Sequence, residues 1–272
     1  MKHKILVIDD ENMIRSILKA SLQSKGYDVE AIDSAEKAFE WLKDNLPDLV
    51  ICDIQMQPMD GYGFLDKFRK GSHTQKTPVI MLSGVEEKKE RVKCYRNGAQ
   101  DFLSKPFNRE ELYALIIKNL DPIYYNLEPD SPDGISPQKQ TKSIPKKILV
   151  IDDDPTIRMI LKTFLSVKYD VEAMGDGKAA LEWLERKPPP DLVICDILME
   201  PMNGYEFLEK FRQRGYTKHT PVIMLSREDK TEDRVDCYSR LAQDYLIKPF
   251  NPEELEELIH KNLFPVNCAR KW

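Results

Sequence analysis

The chain has 272 residues, of which 41% are hydrophobic and 32% charged, and its formal net charge is -5 at pH 7. This composition, with only eleven glycines, is typical of globular proteins and excludes the collagenous and disordered classes. Lysines and arginines are interspersed with acidic residues and form no concentrated basic patch, so we expect no nucleic-acid partner. The length suits one large domain or two ordinary ones, because one hydrophobic core usually serves about 100–200 residues.

No apolar run is long enough to span a bilayer, and the residues after Met1 lack the hydrophobic stretch of a signal peptide. We therefore expect a cytoplasmic protein with no membrane partner. The five cysteines include no Cys-x-x-Cys pair, which argues against a zinc site or a disulfide framework. Cys52 and Cys195 each end an apolar run, and we interpret both as small buried thiols.

In chain order, short apolar runs alternate with amphipathic segments. The predicted strands of the first half are Lys4–Ile8, Asp28–Ile32, Leu49–Cys52, Val79–Leu82 and Asp101–Leu103. Helices are predicted between them, because three groups of apolar residues have the spacing of one buried helix face: Met13, Ile14, Ile17 and Leu18; Ala38, Phe39, Trp41 and Leu42; and Leu112, Leu115, Ile116 and Leu120. Apolar strands that each precede a helix predict a doubly wound, five-stranded parallel (βα)5 α/β domain.

The whole pattern occurs twice. Lys4–Asp10 returns as Lys147–Asp153, an offset of 143 residues. Three more segments recur at this offset: Leu49–Ile54 as Leu192–Ile197, Pro78–Ser83 as Pro221–Ser226, and Lys105–Asn108 as Lys248–Asn251. A period this long, present only twice, indicates two whole domains rather than a solenoid. We expect domains over residues 1–120 and 146–264, a proline-rich linker over 121–145 and a C-terminal tail over 265–272.

Polar residues follow the predicted strands at matching places. In the first copy they are Asp9, Asp10, Asp53, Ser83 and Lys105, and in the second Asp152, Asp153, Asp196, Ser226 and Lys248. Ligands of open parallel sheets bind outside the carboxyl ends of the strands, so each set should form one cluster. A single acid of this kind would be interpreted as a solvated loop charge. The repeated joint pattern favours a functional site.

Three carboxylates that meet at one place repel one another unless a cation lies among them. Hard oxygen ligands with an open side suit Mg²⁺, which keeps several waters and accepts phosphate oxygens. A lysine and a hydroxyl beside such an ion complete a site for a phosphoryl group. The sequence therefore predicts one Mg²⁺-dependent phosphoryl site in each copy.

These motifs resemble those of the response-regulator receiver family, the CheY-like domains of two-component systems. The resemblance depends on the acid pair Asp9-Asp10, on Asp53 followed by Met59-Asp-Gly61, on the hydroxyl of Ser83 and on the dipeptide Lys105-Pro106. Each has a counterpart in the second copy. The resemblance implies two flavodoxin-like receiver domains, with a cis peptide bond at each Lys-Pro step.

The resemblance also implies a role for each residue. Asp53 and Asp196 would be the phosphoacceptors. The predicted metal ligands are Asp10, Asp53 and the backbone carbonyl of Gln55, with Asp9 acting through water, and in the second copy Asp152, Asp153, Asp196 and Leu198. Lys105, Ser83, Lys248 and Ser226 would contact the phosphoryl oxygens. Phe102 and Tyr245 would be switch residues that turn inward after phosphorylation, although a plain core aromatic explains each equally well.

The implied function is that of a tandem-receiver response regulator. A sensor histidine kinase or a phosphotransfer protein would be the phosphodonor, and a downstream signalling protein would receive the output through protein contact, because no third domain is visible in the sequence. The expected chemistry is Mg²⁺-dependent self-phosphorylation and autodephosphorylation, with no separate metabolic activity. The oligomeric state stays open. Alternatives are a phosphate sink or relay intermediate, and a scaffold with one silent receiver.

The two copies share one departure from the family pattern, and the second copy has two more of its own. Both replace the usual proline four residues after the acceptor, with Gln57 and Glu200. Only the second copy has a long cation after the site hydroxyl, because Arg227 stands where the first has Gly84. The second copy also has Leu241 where the first has Gly98, at a helix end that favours glycine. We therefore expect the two sites to behave unequally.

Overall fold

The computed structural model describes residues 2–84, 88–120, 145–217, 219–227 and 230–264. Within this part the chain divides into two compact units, one made of the described residues of 1–121 and 251–272 and the other of those of 122–250, and each unit contains one five-stranded sheet. The predicted linker over 121–145 lies outside the described residues except for its last position, and the predicted tail lies wholly outside them. No helix among the described residues is long and apolar enough to cross a membrane.

The first sheet has the strand order β2-β1-β3-β4-β5, and all of its strand pairs are parallel. Its elements are β1 Lys4–Ile8, α1 Asn12–Ser24, β2 Asp28–Ile32, α2 Ala35–Trp41, β3 Leu49–Asp53, α3 Gly61–Lys70, β4 Val79–Ser83, α4 Lys88–Arg96, β5 Asp101–Ser104 and α5 Arg109–Leu120. In the sheet, β2 lies on one side of β1, and the chain then returns to place β3 on the other side of β1. The carboxyl ends of β1 and β3 are therefore adjacent, which is where a ligand crevice is expected.

The second sheet has the same parallel topology, with the order β10-β9-β8-β6-β7. Its elements are β6 Lys147–Ile151, α6 Pro155–Leu165, β7 Asp170–Met174, α7 Gly177–Leu184, β8 Leu192–Asp196, α8 Gly204–Gln213, a short 3-10 helix Gly215–Thr217, β9 Val222–Ser226, α9 Thr231–Ser239, β10 Asp244–Ile247 and, last in the described chain, α10 Pro252–Leu263. The predicted doubly wound (βα)5 fold is confirmed in both copies.

The central strands β3, β4, β8 and β9 are apolar up to their last residue, which is an aspartate or a serine, because they are covered on both faces. Every residue of β3, β4, β8 and β9 is buried, including the side chains of both faces of each strand. Phe64 and Phe68 of α3 lie one helical turn apart and stack with their ring centroids 5.2 Å apart inside the first core. Phe207 and Phe211 of α8 repeat this pair at 5.3 Å. The core thus repeats in detail as well as in topology.

Two sequence predictions about local structure were wrong in detail. Asp53 and Ser83 do not follow their strands but are the last residues of β3 and β4. The predicted buried face of α1 is also displaced, because Met13 is 72% exposed whereas Leu18 is 1% exposed. Leu18 and Leu22, four residues apart, face the sheet, and Met13 lies well round the helix from them.

The predicted buried thiols are confirmed. Cys52 and Cys195 are free and buried, and so are Cys94 and Cys237 of the helices α4 and α9. Burial raises the pKa of Cys94 and Cys237 to about 12, and it raises the pKa of the two strand thiols as well. These cysteines are therefore inert packing groups rather than reactive thiols.

Candidate functional site

Lys105 lies between two carboxylates at the carboxyl ends of β1 and β3. Its Nζ donates a hydrogen bond to Asp9 Oδ2 at 2.7 Å and lies 3.1 Å from Asp53 Oδ2, while Glu11 Oε1 is 3.4 Å away. Burial lowers the pKa of Lys105, but the hydrogen bond to Asp9 and the charge of Asp53 more than offset this effect, so the pKa is raised overall. Lys105 is therefore a fixed cation at neutral pH.

Asp9 is fully buried and its position is determined from two sides. Asp9 Oδ1 accepts a hydrogen bond from the backbone N–H of Glu11 at 2.9 Å, and the guanidinium of Arg15 donates to the Asp9 carbonyl at 2.7 Å. Both carboxylate oxygens of Asp9 consequently have protein partners. Asp10, the next residue, is exposed.

Asp53 is held differently. The residue is 2% exposed, and its Oδ1 is buried without a hydrogen-bond partner among the described residues. Burial raises the pKa of Asp53, the nearby Lys105 lowers it, and the charge of Asp9 raises it, with a net shift upward. A buried carboxylate with one unpaired oxygen is costly unless a ligand or a reaction partner completes it.

The three acids form an open pocket. Carboxylate oxygens of Asp9, Asp10 and Asp53 lie within 4.8 Å of one another, and only Asp10 is exposed. This donor set fits a hard divalent cation, because all ligands are oxygen, one buried oxygen lacks a partner, and one side is open for water. Gln55, whose backbone carbonyl the resemblance implies as a ligand, has an exposed side chain.

The second site repeats this geometry. Lys248 Nζ lies 2.5 Å from Asp152 Oδ2 and 3.0 Å from Asp196 Oδ2. Carboxylate oxygens of Asp152, Asp153 and Asp196 again lie within 4.8 Å of one another, with only Asp153 exposed. Burial raises the pKa of Asp196 and the charge of Lys248 opposes the rise, with a net shift upward. Leu198, the counterpart of Gln55, is 54% exposed and likewise offers only a backbone carbonyl.

A glycine allows the chain to pass close behind each central aspartate. A Cβ atom added to Gly61 would lie 2.2 Å from the carbonyl oxygen of Asp53, and one added to Gly204 would lie 2.2 Å from that of Asp196. In the first unit, the N–H of Gly61 donates to the carbonyl of Ile54 at 2.9 Å and fixes this close approach. Only glycine fits there, which explains why the Met59-Asp-Gly61 motif ends in glycine although this residue has no reactive side chain.

The site hydroxyls occupy matching positions but have different neighbours. Ser83 and Ser226 are buried at the ends of β4 and β9. The aromatic of β5 is Phe102, 8% exposed, with the Arg91 guanidinium 5.6 Å from its ring centroid. The aromatic of β10 is Tyr245, whose hydroxyl is hydrogen-bonded to Ser226 and whose pKa is raised by burial to about 12. Only the second unit therefore links the site hydroxyl to the aromatic through a hydrogen bond.

Sequence reasoning missed two features of this region. Arg15 and its counterpart Arg158 support the acid pairs through backbone carbonyls, with Arg158 donating to Asp152 O at 2.6 Å. The repeat offered a signal for both arginines, because they recur at the offset of 143 residues. The second feature is a pair of cis peptide bonds, Gln57-Pro58 and Glu200-Pro201, which the sequence did not predict. The predicted Lys105-Pro106 and Lys248-Pro249 bonds are also cis.

The fold and this pocket define a class of protein. A doubly wound parallel sheet with three acids and one lysine at the carboxyl ends of its strands is the architecture of receiver domains. The family model for the response regulator receiver domain matches residues 5–117 and 148–260. The chain belongs to this family and contains two receiver domains in tandem.

Several curated proteins are similar to this chain. Response regulator PleD of Caulobacter vibrioides is 24% identical over 263 residues, which cover 94% of this chain and 58% of PleD. Response regulator Rre1 of Synechocystis is 39% identical over 117 residues, which cover 43% of this chain and 50% of Rre1. The chain thus spans about half the length of the curated relatives that it matches.

Solved structures are also similar to this chain or to parts of it. The chemotaxis response regulator CheY4 of Vibrio cholerae matches with 34% identity and a TM-score of 0.41, over 43% of this chain and 98% of CheY4. A structure described as that of a probable two-component system response regulator/GGDEF domain protein matches with 23% identity and a TM-score of 0.41, over 96% of this chain and 98% of its own chain.

Proposed function

We propose that the chain accepts phosphoryl groups on Asp53 and Asp196 from a phosphohistidine-bearing protein and works as a tandem-receiver response regulator of a two-component phosphorelay. The observation that carries this proposal is the buried, unpaired Oδ1 of Asp53 beside Lys105 and two further acids. The second unit contains the same set of groups. Domain limits at residues 1–120 and 146–264 form part of this proposal.

The proposed reaction forms an acyl phosphate. A carboxylate oxygen of Asp53 attacks the phosphorus, the P–N bond of the phosphohistidine breaks, and the imidazole nitrogen that leaves takes up a proton. Lys105, already within 3.1 Å of Asp53 Oδ2, stabilises the negative charge on the phosphoryl oxygens, and Ser83 donates a further hydrogen bond to them. The reaction depends on positioning and on charge, so the chain needs no histidine of its own.

A bound Mg²⁺ would neutralise charge between the carboxylates and the phosphoryl oxygens. Asp10, Asp53 and the backbone carbonyl of Gln55 would hold this ion in the first site, with Asp9 acting through water. Asp153, Asp196 and the carbonyl of Leu198 would do so in the second. The support for this part of the proposal is the all-oxygen donor set with one exposed side.

The proposed output is contact with a downstream signalling protein. A phosphoryl group that draws Ser226 toward it would disturb the hydrogen bond between Ser226 and Tyr245, and so pass the change to β10. In the first unit Ser83 and Phe102 would respond through packing alone. The four buried, free thiols are consistent with the cytoplasmic location that we propose.

The test is labelling with ³²P-acetyl phosphate and Mg²⁺. We expect label on the wild type, on Asp53→Asn and on Asp196→Asn, and none on the double variant. Asp66→Asn is a matched control, since this exposed α3 aspartate pairs only with Lys70 at 2.6 Å among the described residues. Label retained by the double variant would overturn the assignment of both acceptors.

A sink or relay is the alternative in the same class, and a scaffold with one silent receiver is another. Phosphoryl half-lives separate the first from a stable messenger, because decay within a minute at both sites would favour a sink. Each site has its complete set of acids, lysine and hydroxyl, which disfavours a silent receiver. Absence of label on one single variant would instead establish the scaffold.

A further inference from the structure

Arg227 gives the second receiver a cation that the first lacks. It follows Ser226 directly, at the carboxyl end of β9, where the first receiver has Gly84. We propose that the Arg227 guanidinium binds the phosphoryl group on Asp196 and protects it from hydrolysis, so that the second receiver holds its phosphoryl group longer than the first. This inference rests on the proposed function.

The position lies at the edge of the pocket. In the first unit, a Cβ atom added at Gly84 would lie 3.4 Å from Gln55 Oε1 and would meet no other heavy atom within 4 Å. Gln55 is two residues past the acceptor Asp53. In the second unit, Asp196 pairs with Leu225 in the sheet register, so Arg227 lies two residues beyond the partner of the acceptor. A side chain at this position therefore starts at the same edge of the sheet as the acceptor, within reach of the site.

Arg227 is available for an anion. Its side chain is exposed, and within the described part of the chain it has no ion pair or hydrogen bond, although three carboxylates lie at the same end of the sheet. A guanidinium presents five N–H donors in a planar fork that matches two phosphate oxygens at once. An incoming dianionic phosphoryl group offers a stronger partner than these carboxylates, because two of them are buried beside Lys248 and the third is solvated.

The existing cation cannot hold the group alone. Lys248 Nζ already contacts Asp152 Oδ2 at 2.5 Å and Asp196 Oδ2 at 3.0 Å, which leaves one of its three N–H donors for a phosphoryl oxygen. A phosphoryl group has three terminal oxygens. In the first receiver, Lys105 is equally committed and is shared with a further acid, Glu11, at 3.4 Å. The first site thus has one acid more in contact with its lysine and one cation fewer at its mouth.

Two consequences follow from the position and the charge of the Arg227 guanidinium. Hydrolysis requires a water oxygen to attack the phosphorus while the bond to the Asp196 oxygen breaks, which releases orthophosphate and restores the carboxylate. A guanidinium across the exposed phosphoryl oxygens obstructs this water. The same positive charge repels a divalent cation, so the second site should bind Mg²⁺ more weakly than the first.

Reciprocal substitutions in the full chain test the inference. In the Asp53→Asn background, which isolates the second site, Arg227→Gly should shorten the half-life of the aspartyl phosphate formed from acetyl phosphate about tenfold, with Arg227→Lys intermediate. In the Asp196→Asn background, Gly84→Arg should lengthen the half-life at Asp53 by a similar factor. We expect this change to be tolerated, because a Cβ at Gly84 would meet only the end of the exposed Gln55 side chain, at 3.4 Å, and the φ of Gly84 is not positive.

Beryllofluoride supplies a second measurement. Its affinity for the second site, in the presence of Mg²⁺, should fall about tenfold in Arg227→Gly, while the affinity for Mg²⁺ alone should rise. Equal half-lives and equal beryllofluoride affinities for Arg227→Gly and its Arg227 parent would overturn the inference. Failure of the proposed function is distinguishable, because then the Asp53→Asn parent itself would take no label from acetyl phosphate.

Discussion

Lys105 donates a 2.7 Å hydrogen bond to Asp9, and Lys248 makes the same bond to Asp152 at 2.5 Å. In both receivers the lysine is thus fixed by an acid other than the proposed acceptor. The proposed acceptor Asp53 shares this cation in the first site and keeps one carboxylate oxygen without a hydrogen-bond partner among the described residues. A buried carboxylate that is only partly paired costs stability, so removal of its charge should stabilise the fold.

We expect Asp53→Asn to stabilise the first receiver at neutral pH by about 1 kcal/mol, the scale of removing one poorly paired buried charge. The pKa of Asp53 is raised in the folded state, chiefly by burial. The folded state therefore binds its proton more tightly than the unfolded state, and the stability that this proton provides is lost as pH rises through the folded pKa. The gain from the substitution should be largest at neutral pH and should shrink at acidic pH.

The measurement is urea unfolding of the wild type and of Asp53→Asn from acidic to neutral pH. Pulsed hydrogen exchange of peptides from β1–β5 follows the first sheet separately. Asp66→Asn, on the exposed face of α3, is the control and should change little. A constant or inverted difference between Asp53→Asn and the wild type would contradict the assigned pKa shift.

Mg²⁺ should stabilise each receiver that keeps its acid cluster. An ion that binds only the folded state adds about 2.7 kcal/mol when its concentration is one hundred times its Kd. The added stability should disappear from the first receiver in Asp10→Ala and persist in the second, since the two clusters are separate sets of acids. Thermal unfolding with MgCl₂, and with KCl at matched ionic strength, checks this. Equal effects of the two salts would count against a specific cation site.

Leu241→Gly should stabilise the second receiver. Leu241 has φ 68° at the position where the first receiver has Gly98 with φ 91°, and a left-handed conformation costs a branched residue roughly 1–2 kcal/mol. About half of this gain in the free energy of unfolding should be offset, because the substitution also removes a partly buried leucine side chain from its apolar contacts. Denaturant unfolding of Leu241→Gly and of the reciprocal Gly98→Leu gives the comparison. The prediction fails if both substitutions destabilise equally.

Tyr245→Phe should cost the second receiver about 1 kcal/mol, since it removes a buried hydrogen bond to Ser226. A double-mutant cycle with Ser226→Ala should give a coupling energy of similar size. The matched cycle in the first receiver pairs Phe102→Leu with Ser83→Ala and should show little coupling, because Phe102 has no hydroxyl. Equal coupling in the two receivers would show that packing, rather than this hydrogen bond, connects the site to the aromatic.

The sequence alone predicts the number of domains, their sheets and the clustering of the site residues. The offset of 143 residues between Lys4 and Lys147 predicts two domains, and the alternation of apolar runs with amphipathic segments predicts a parallel sheet in each. Because the carboxyl ends of parallel strands meet at one edge, the acids and the lysine could be assigned to one cluster without coordinates. The family match and both sheets confirm the two domains and their parallel sheets, and the acids and the lysine of each copy lie close together.

Only the tertiary structure decided how each residue of that cluster is buried and paired. Asp9 is fully buried and Asp10 exposed, although they are neighbours of the same type, because only Asp9 faces the lysine that β5 brings across from 96 residues away. Met13 is exposed and Leu18 buried for a similar reason, since the sheet covers one side of α1. Spacing along the chain fixes which residues share a face, and long-range packing fixes which face is covered.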